Sequence, residues 1–382
     1  MKTKITEYFE GVETKKEHNG YFCSVGETLT IVILGTLCGL QNMSQIHQWA
    51  MNERVRGFLK EHFGMEDIPC YYWMACLLRL IKPKSLSRCF TGWAQSLLPA
   101  GGVRGQTLSF DGKSVRSMEK MWRSKGPLHI VSAHVAELGI TLGQQDTDGK
   151  GKEIPAMREL IGLLDVEGCM IVADALHCQK ETAKLIAEAK AGYLLNVKDN
   201  QPTLKKDIEE YVQDVALRGK MDTFATCDKN GGRIEQRTAF ATCFTGWLQD
   251  REGWEGLSCI GAINTRFTTR KGTTDEWHYY ISNRELSAKD LLRHARLEWT
   301  VESMHWLLDV HFREDYCRVE DADVQQSLSI VRKIALNCVR LHKAKASLKT
   351  PLSKIMFGCL LDCDKILHVL AASCGKCEKI EN

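Results

Sequence analysis

The stretch Gln106–Arg116, QTLSFDGKSVR, alternates apolar and polar residues over Thr107–Phe110 as a half-buried strand does, and Gly112 permits a tight exit just after Asp111. A carboxylate is thereby delivered to a strand end. Lys113 and Arg116 follow at once, two bases suited to a phosphate backbone. Taken alone, Asp-Gly is a common turn. A matching element downstream changes that reading: Cys169–Asp174, CMIVAD, is a fully apolar strand that also ends in an aspartate and turns into a helix.

Working outward, the 382 residues are enough for two domains or for one with an insertion. A hydrophobic content of 44% with 26% charged residues describes an ordinary folded protein. The net charge of +3 is too small to argue for nucleic acid by itself, so such a partner needs locally concentrated charge. Sixteen irregularly spaced cysteines without a signal peptide point to reduced thiols in a cytoplasm. The longest apolar run, Leu29–Leu40 (LTIVILGTLCGL), is too short to span a bilayer and reads as a buried helix, so no membrane partner is expected.

Residues 1–98 read as an all-helical N-terminal domain, with one helix over 45–63 ended by Gly64 and another starting at Ser85 or Ser87. Arg54, Arg56 and Lys60 permit DNA contact there, and plain packing explains them equally. Pro99–Gly102 is a linker. From 103 to 220 the pattern is a strand meander (108–111, 128–135, 140–144) followed by strand–helix–strand units whose apolar strands imply parallel pairing. The whole is a mixed α/β sheet with helices on both faces. Residues 221–283 are a β-rich insertion with a hairpin at Asn230-Gly231-Gly232. Helix returns over 284–347, first from Ser287 to Phe312 and then from Asp323 to Ala346, and 348–382 is a C-terminal tail.

Adjacent strands would let Asp111 and Asp174 converge, and two such carboxylates repel unless a cation lies between them. Oxygen ligands favour Mg²⁺ or Mn²⁺. Taken alone, Asp174 reads more readily as a helix N-cap, a role aspartate often fills. A third acid is sought on 298–315, EWTVESMHWLLDVHFRED, where at about 100° per residue Glu302 shares a face with Glu298, Trp299, Trp306 and Asp309. Acids among tryptophans imply a buried charge needing compensation, or else a solvated edge beside a Trp core. Lys198 and the Arg233/Arg237 pair on the hairpin are further phosphate candidates. So are Arg340, Lys343 and Lys345, in a stretch from Val324 to Leu361 that has no acid. Cys359, Cys363, Cys374 and Cys377 with His368 have a spacing open to zinc, but packing of an apolar helix and a tail is the expected reading.

These motifs resemble the cut-and-paste DDE transposases of bacterial insertion sequences, in particular the H-repeat-associated (ISAs-type) group. The resemblance is carried by DGKSVR (111–116), LHIVSAH (128–134), LGQ (142–144) with KEI (152–154), LLDVEG with ADALHCQKE (163–181), YLLNVKDNQ (193–201), GGRIEQR (231–237), and W-x-V-E with HWLLDV and F-x-ED (299–315). It implies an RNase H-like fold, and a catalytic, metal-binding triad of Asp111, Asp174 and Glu302, 63 and 128 residues apart. It also implies Mg²⁺ or Mn²⁺, double-stranded DNA partners (transposon ends and target), a homodimer on DNA, and a bacterial, nucleoid-associated setting. Related transposases set a tyrosine and an arginine before the glutamate and a lysine after it, where this chain has Ala295, Glu298 and Asp309. An inactive DNA-binding descendant and an RNase H-like nuclease without strand transfer are the alternatives.

Overall fold

A capping box opens the most apolar segment: Ser24 Oγ accepts from the Glu27 amide at 3.0 Å, and the Glu27 carboxylate accepts from the Ser24 amide at 2.7 Å. It satisfies two of the amides that a helix start leaves unpaired. The computed structural model describes residues 4–16, 23–115, 128–147, 149, 151–230, 233–270 and 272–373. After α1 (Lys4–Phe9), the capped helix α2 (Val25–Leu37) is buried on every side over Thr28–Leu37. The single helix expected over 45–63 is two, α3 (Met43–Ala50) and α4 (Glu53–Phe63), because the Asn52 side chain takes the Arg54 amide at 3.1 Å and caps a new start. Gly64 ends α4 in the left-handed region at φ 71°. Helix α5 is Tyr71–Leu80, and α6 (Pro83–Ser96) starts earlier than expected because proline suits a first helical turn.

The elements that follow are β1 (Thr107–Val115), β2 (Leu128–Val135), β3 (Ile140–Thr147), α7 (Glu153–Leu163), β4 (Met170–Ala173), α8 (Lys180–Glu188), β5 (Gly192–Val197), α9 (Pro202–Gln213) and α10 (Val215–Arg218). Then come β6 (Asp222–Asn230), β7 (Arg233–Thr242), β8 (Cys259–Thr269), β9 (Gly272–Ser282), α11 (Ala288–Glu298), α12 (Thr300–Phe312), α13 (Ala322–Lys345), α14 (Leu352–Leu361) and α15 (Cys363–Ala371). Contact density divides the chain into two compact units. One comprises Met1–Gly102, Gly112–Ala156 and Glu302–Asn382, and the other Val103–Asp111 and Met157–Val301. No helix among the described residues is long and apolar enough to cross a membrane.

Within the first unit α13 is central, packed by α2, α6, α15 and β3. Asn337 fastens it to β3 with two bonds, donating to the Thr141 carbonyl at 2.8 Å and accepting from the Thr141 amide at 2.9 Å. The basic helix expected here is therefore mostly interior, and Arg332 and Lys333 are buried with it. Strands β2 and β3 pair antiparallel.

The second unit orders its strands β1-β4-β5-β9-β8-β7-β6. The β1–β4 and β4–β5 pairs are parallel and the rest antiparallel. The β-rich segment thus extends the parallel sheet, because β9 pairs directly with β5. Its core joins Val172, Leu194, Ala241, Ile263 and Tyr280 to Leu291 and Ala295 of α11. One continuous helix from Ser287 to Phe312 is not formed. The Leu297 carbonyl, which the next turn of helix needs, accepts instead from Thr300 Oγ1 at 2.6 Å and Ser109 Oγ at 3.0 Å, and the helix breaks at Trp299.

Candidate functional site

The β1–β4 ladder runs in parallel register from Thr107↔Met170 to Phe110↔Ala173, so the next residue of each segment is an aspartate: Asp111 and Asp174. Neighbouring strands lie about 4.8 Å apart, which sets the two side by side. The predicted turn at Gly112 is absent, since β1 continues to Val115. A Cβ at Gly112 would lie 2.7 Å from the carboxyl carbon of Glu153, so a larger residue there needs that side chain to shift. Asp174 stands at the N-cap of a short 3-10 turn, Ala175–His177, yet makes no side-chain cap bond, and its side chain is 54% exposed. The capping role open to it in the sequence is not used.

His177, buried, brings Nε2 to 3.9 Å from Asp174 Oδ1. Burial pushes its pKa down, against the fields of both Asp174 and Asp111, so the ring is neutral at neutral pH. That both aspartates act on one imidazole agrees with the register. The loop after β5 holds this turn in place: Asn200 Nδ2 donates to the Ala175 carbonyl at 2.7 Å and Gln201 Nε2 to the Cys178 carbonyl at 2.9 Å. Neither residue stood out in the sequence, although both belong to the motif YLLNVKDNQ. Asn200→Ala is expected to lower stability by about 1 kcal/mol, read as a lower urea midpoint at unchanged m-value.

Behind the aspartates, Ser109 reaches the Leu297 carbonyl, and Thr107 Oγ1 shares a hydrogen bond with His294 Nδ1 at 2.8 Å, fastening α11 to β1. Glu298, the last residue of α11, is half-buried, and after burial itself its charge is the next cause that pushes the Tyr280 hydroxyl up. Glu302 is exposed in the first turn of α12, and Trp299 and Trp306 are 62% and 60% exposed. The expected buried acid stripe on one helix is thus corrected: the helix break separates the two glutamates, and Glu302 is the solvated one. Asp111 and Asp174 lie in the second unit and Glu302 in the first. Among the described residues no three His, Cys, Asp or Glu gather closely enough to hold a metal ion. The Asp111–Asp174 pair supplies hard oxygen donors of the kind a divalent cation takes.

The basic candidates divide. Lys113 is 12% exposed and donates to Asp309 at 2.6 Å and Glu314 at 2.9 Å, so it is turned inward. Arg116 lies outside the described residues. Lys198 is exposed at the end of β5. Arg233 is half exposed, paired with Glu235 and stacked over Phe267 at 4.7 Å, whereas Arg237 is bound to Glu235 and, at 3.0 Å, to Asp228. Arg340 packs against Gly139 and is mostly buried, which pushes its pKa down. Lys343 is half-buried, and Lys345 is exposed with its ammonium on the Ala372 carbonyl at 2.6 Å. Of the cysteines read for zinc, Cys359 is buried and Cys363 half-buried, while Cys374 and Cys377 lie outside the described residues.

The profile of the family described as "Transposase DDE domain" matches residues 104–338, and one described as "DDE_Tnp_1-associated" matches residues 6–94. YncI of Escherichia coli O157:H7, named as a transposase, is 31% identical over 323 residues, covering 83% of this chain and 82% of that protein. YhhI of Escherichia coli K12, named as an H repeat-associated transposase, is 29% identical over 358 residues, covering 91% and 93%. Among solved structures, the piggyBac transposase synaptic complex with hairpin DNA aligns with a TM-score of 0.46 at 10% identity, covering 99% of this chain and 80% of that one. A likeness that loose says nothing about site or substrate.

Proposed function

The chain belongs to the transposase DDE domain family, and from that membership we propose that it cuts DNA at the ends of an insertion sequence and joins those ends to target DNA. What supports this chemistry most directly is the parallel register that sets Asp111 beside Asp174, with the Asp174 carboxylate uncommitted to any cap. Asp111, Asp174 and Glu302 would hold two divalent cations, Mg²⁺ or Mn²⁺. When bound, such ions activate a water or a DNA 3′ hydroxyl and stabilise the departing 3′ oxygen. The aspartates contribute two fixed negative charges whose mutual repulsion a cation relieves. Neutral His177 adds no competing positive charge beside them. No covalent enzyme–DNA intermediate is called for, so no serine or tyrosine nucleophile is assigned.

The same proposal includes an RNase H-like core, a DNA-end-binding role for the helices of residues 1–98, and a homodimer on DNA in a bacterial nucleoid. It is supported by the parallel β1-β4-β5 strands and by the associated family profile over 6–94. A DNA-binding descendant that no longer cuts is favoured by one observation: Asp309, where related transposases carry a lysine, is an acid engaged with Lys113. A search of the DNA flanking the gene for terminal inverted repeats, followed by a cleavage assay on duplexes carrying them with and without Mg²⁺, separates these readings. Metal-dependent nicking at the repeat ends supports the transposase, nicking without joining supports a nuclease, and binding without nicking supports the descendant.

Phosphate contacts are assigned to the exposed bases, Lys198 first. Lys198→Ala is expected to lower the slope of log K against log[salt] for duplex binding by about 0.9. Arg340→Ala should leave that slope unchanged and lower the urea midpoint instead, because its guanidinium is packed inside. A slope change at Arg340 alone would reverse the assignment.

A further inference from the structure

We infer that Lys113 is a positioning residue for the reaction proposed above, holding α12, the helix that carries Glu302, against the C-terminal part of β1, and that it does not contact DNA. The inference rests on that functional reading and deepens it. Lys113 on β1 donates to Asp309 on α12 and to Glu314 in the turn after α12, partners 196 and 201 residues away in the chain. Two of the recognisable motifs, D-G-K and F-x-E-D, are thereby joined by one ammonium group.

The surroundings are unusual for an ordinary ion pair. Glu314 is buried at 1% exposure, and so are Lys333 and Arg332 of α13 at 2% and 5%. Burial raises the Glu314 pKa, but Lys113, Lys333 and Arg332 together outweigh it and bring the carboxyl to about 2. Lys333 spends its ammonium on Gln144 Oε1 at 2.6 Å and Ser329 Oγ at 3.0 Å. Three cations and two carboxylates are therefore assembled where apolar side chains of similar volume would be at least as stable. Stability alone does not account for them; holding one geometry does. The residue before Glu314 adds a second sign. Arg313 adopts φ 48°, a left-handed conformation that non-glycine residues keep only when their surroundings impose it. The chain leaving α12 is bent at some cost to bring Glu314 under Lys113.

The test uses the full chain with Lys113→Met, Lys113→Arg and Glu314→Gln, and a duplex bearing the flanking inverted repeats. Lys113→Met should slow cleavage by about 100-fold, the scale of a displacement near 1 Å, and raise the Mg²⁺ concentration needed for half-maximal rate. Duplex affinity and its salt slope should stay as in the wild type. Lys113→Arg should recover most of the rate. Hydrogen exchange should accelerate in peptides covering 300–316 of Lys113→Met and not in those covering β4 and β5. A lower salt slope in Lys113→Met would make Lys113 a phosphate contact and overturn the inference, as would unchanged exchange and cleavage. If Lys113→Met does not fold, Glu314→Gln, which keeps the side-chain volume, is read in the same way. A wild type that never cuts would instead sink the functional reading, and exchange over 300–316 would still decide whether Lys113 holds α12.

Discussion

Asparagine at either Asp111 or Asp174 is expected to reduce metal-dependent cleavage of the repeat ends by on the order of a thousandfold, the scale at which one electrostatic contact to a transition state is lost. Duplex affinity should remain within about twofold, since carboxylates that hold a cation do not attract phosphates. Asp174 makes no cap bond, and the strand hydrogen bonds of β1 come from its backbone. Neutralising one of two neighbouring carboxylates also relieves repulsion, so the melting temperature should hold or rise slightly. Single-turnover cleavage over a range of Mg²⁺ concentration, beside a thermal melt, measures both. Wild-type turnover in either variant would remove the aspartate pair from the site, and a large fall in melting temperature would give the carboxylates a structural role instead.

Much of the framework around the candidate site is legible in the sequence, because it is written locally. The apolar run CMIVA ends in Asp174 wherever its neighbours lie, LHIVSAHV is strand from Leu128 to Val135 as its composition demands, and β6 and β7 pair antiparallel. What is not legible depends on residues far apart in sequence. Gly112 reads as a turn because nothing near it in sequence shows that β1 continues through it to Val115. The helix over 287–312 reads as continuous because one of the hydroxyls that breaks it is Ser109, 188 residues away. Lys333 and Arg332 lie in the acid-free stretch that reads as a basic helix, which normally faces water, and their compensation by Glu314 and Gln144 is invisible to periodicity. Local pattern places strands and their terminal acids, whereas tertiary partners decide which charges stay outside.

Glu302→Gln is expected to lose cleavage as completely as the aspartate variants, by on the order of a thousandfold, while Glu298→Gln keeps activity within about tenfold of wild type. Burial, the argument the sequence offered for Glu302, is not the reason. Glu302 is the exposed member of the pair, in the first turn of α12, and that is the better position for a ligand. A negative charge at a helix N-terminus is favoured by the helix dipole, and an exposed one can meet a cation without first leaving a packed interior. Glu298 sits at the opposite kind of end, the last residue of α11, half-buried and close enough to Tyr280 to push its hydroxyl further up. Its neutralisation should change local packing more than chemistry. Cleavage rates of the two variants at saturating Mg²⁺ and matched duplex occupancy decide the matter. A dead Glu298→Gln beside an active Glu302→Gln would move the third carboxylate to the end of α11, which Ser109 and Thr107 already fasten to the strand bearing Asp111.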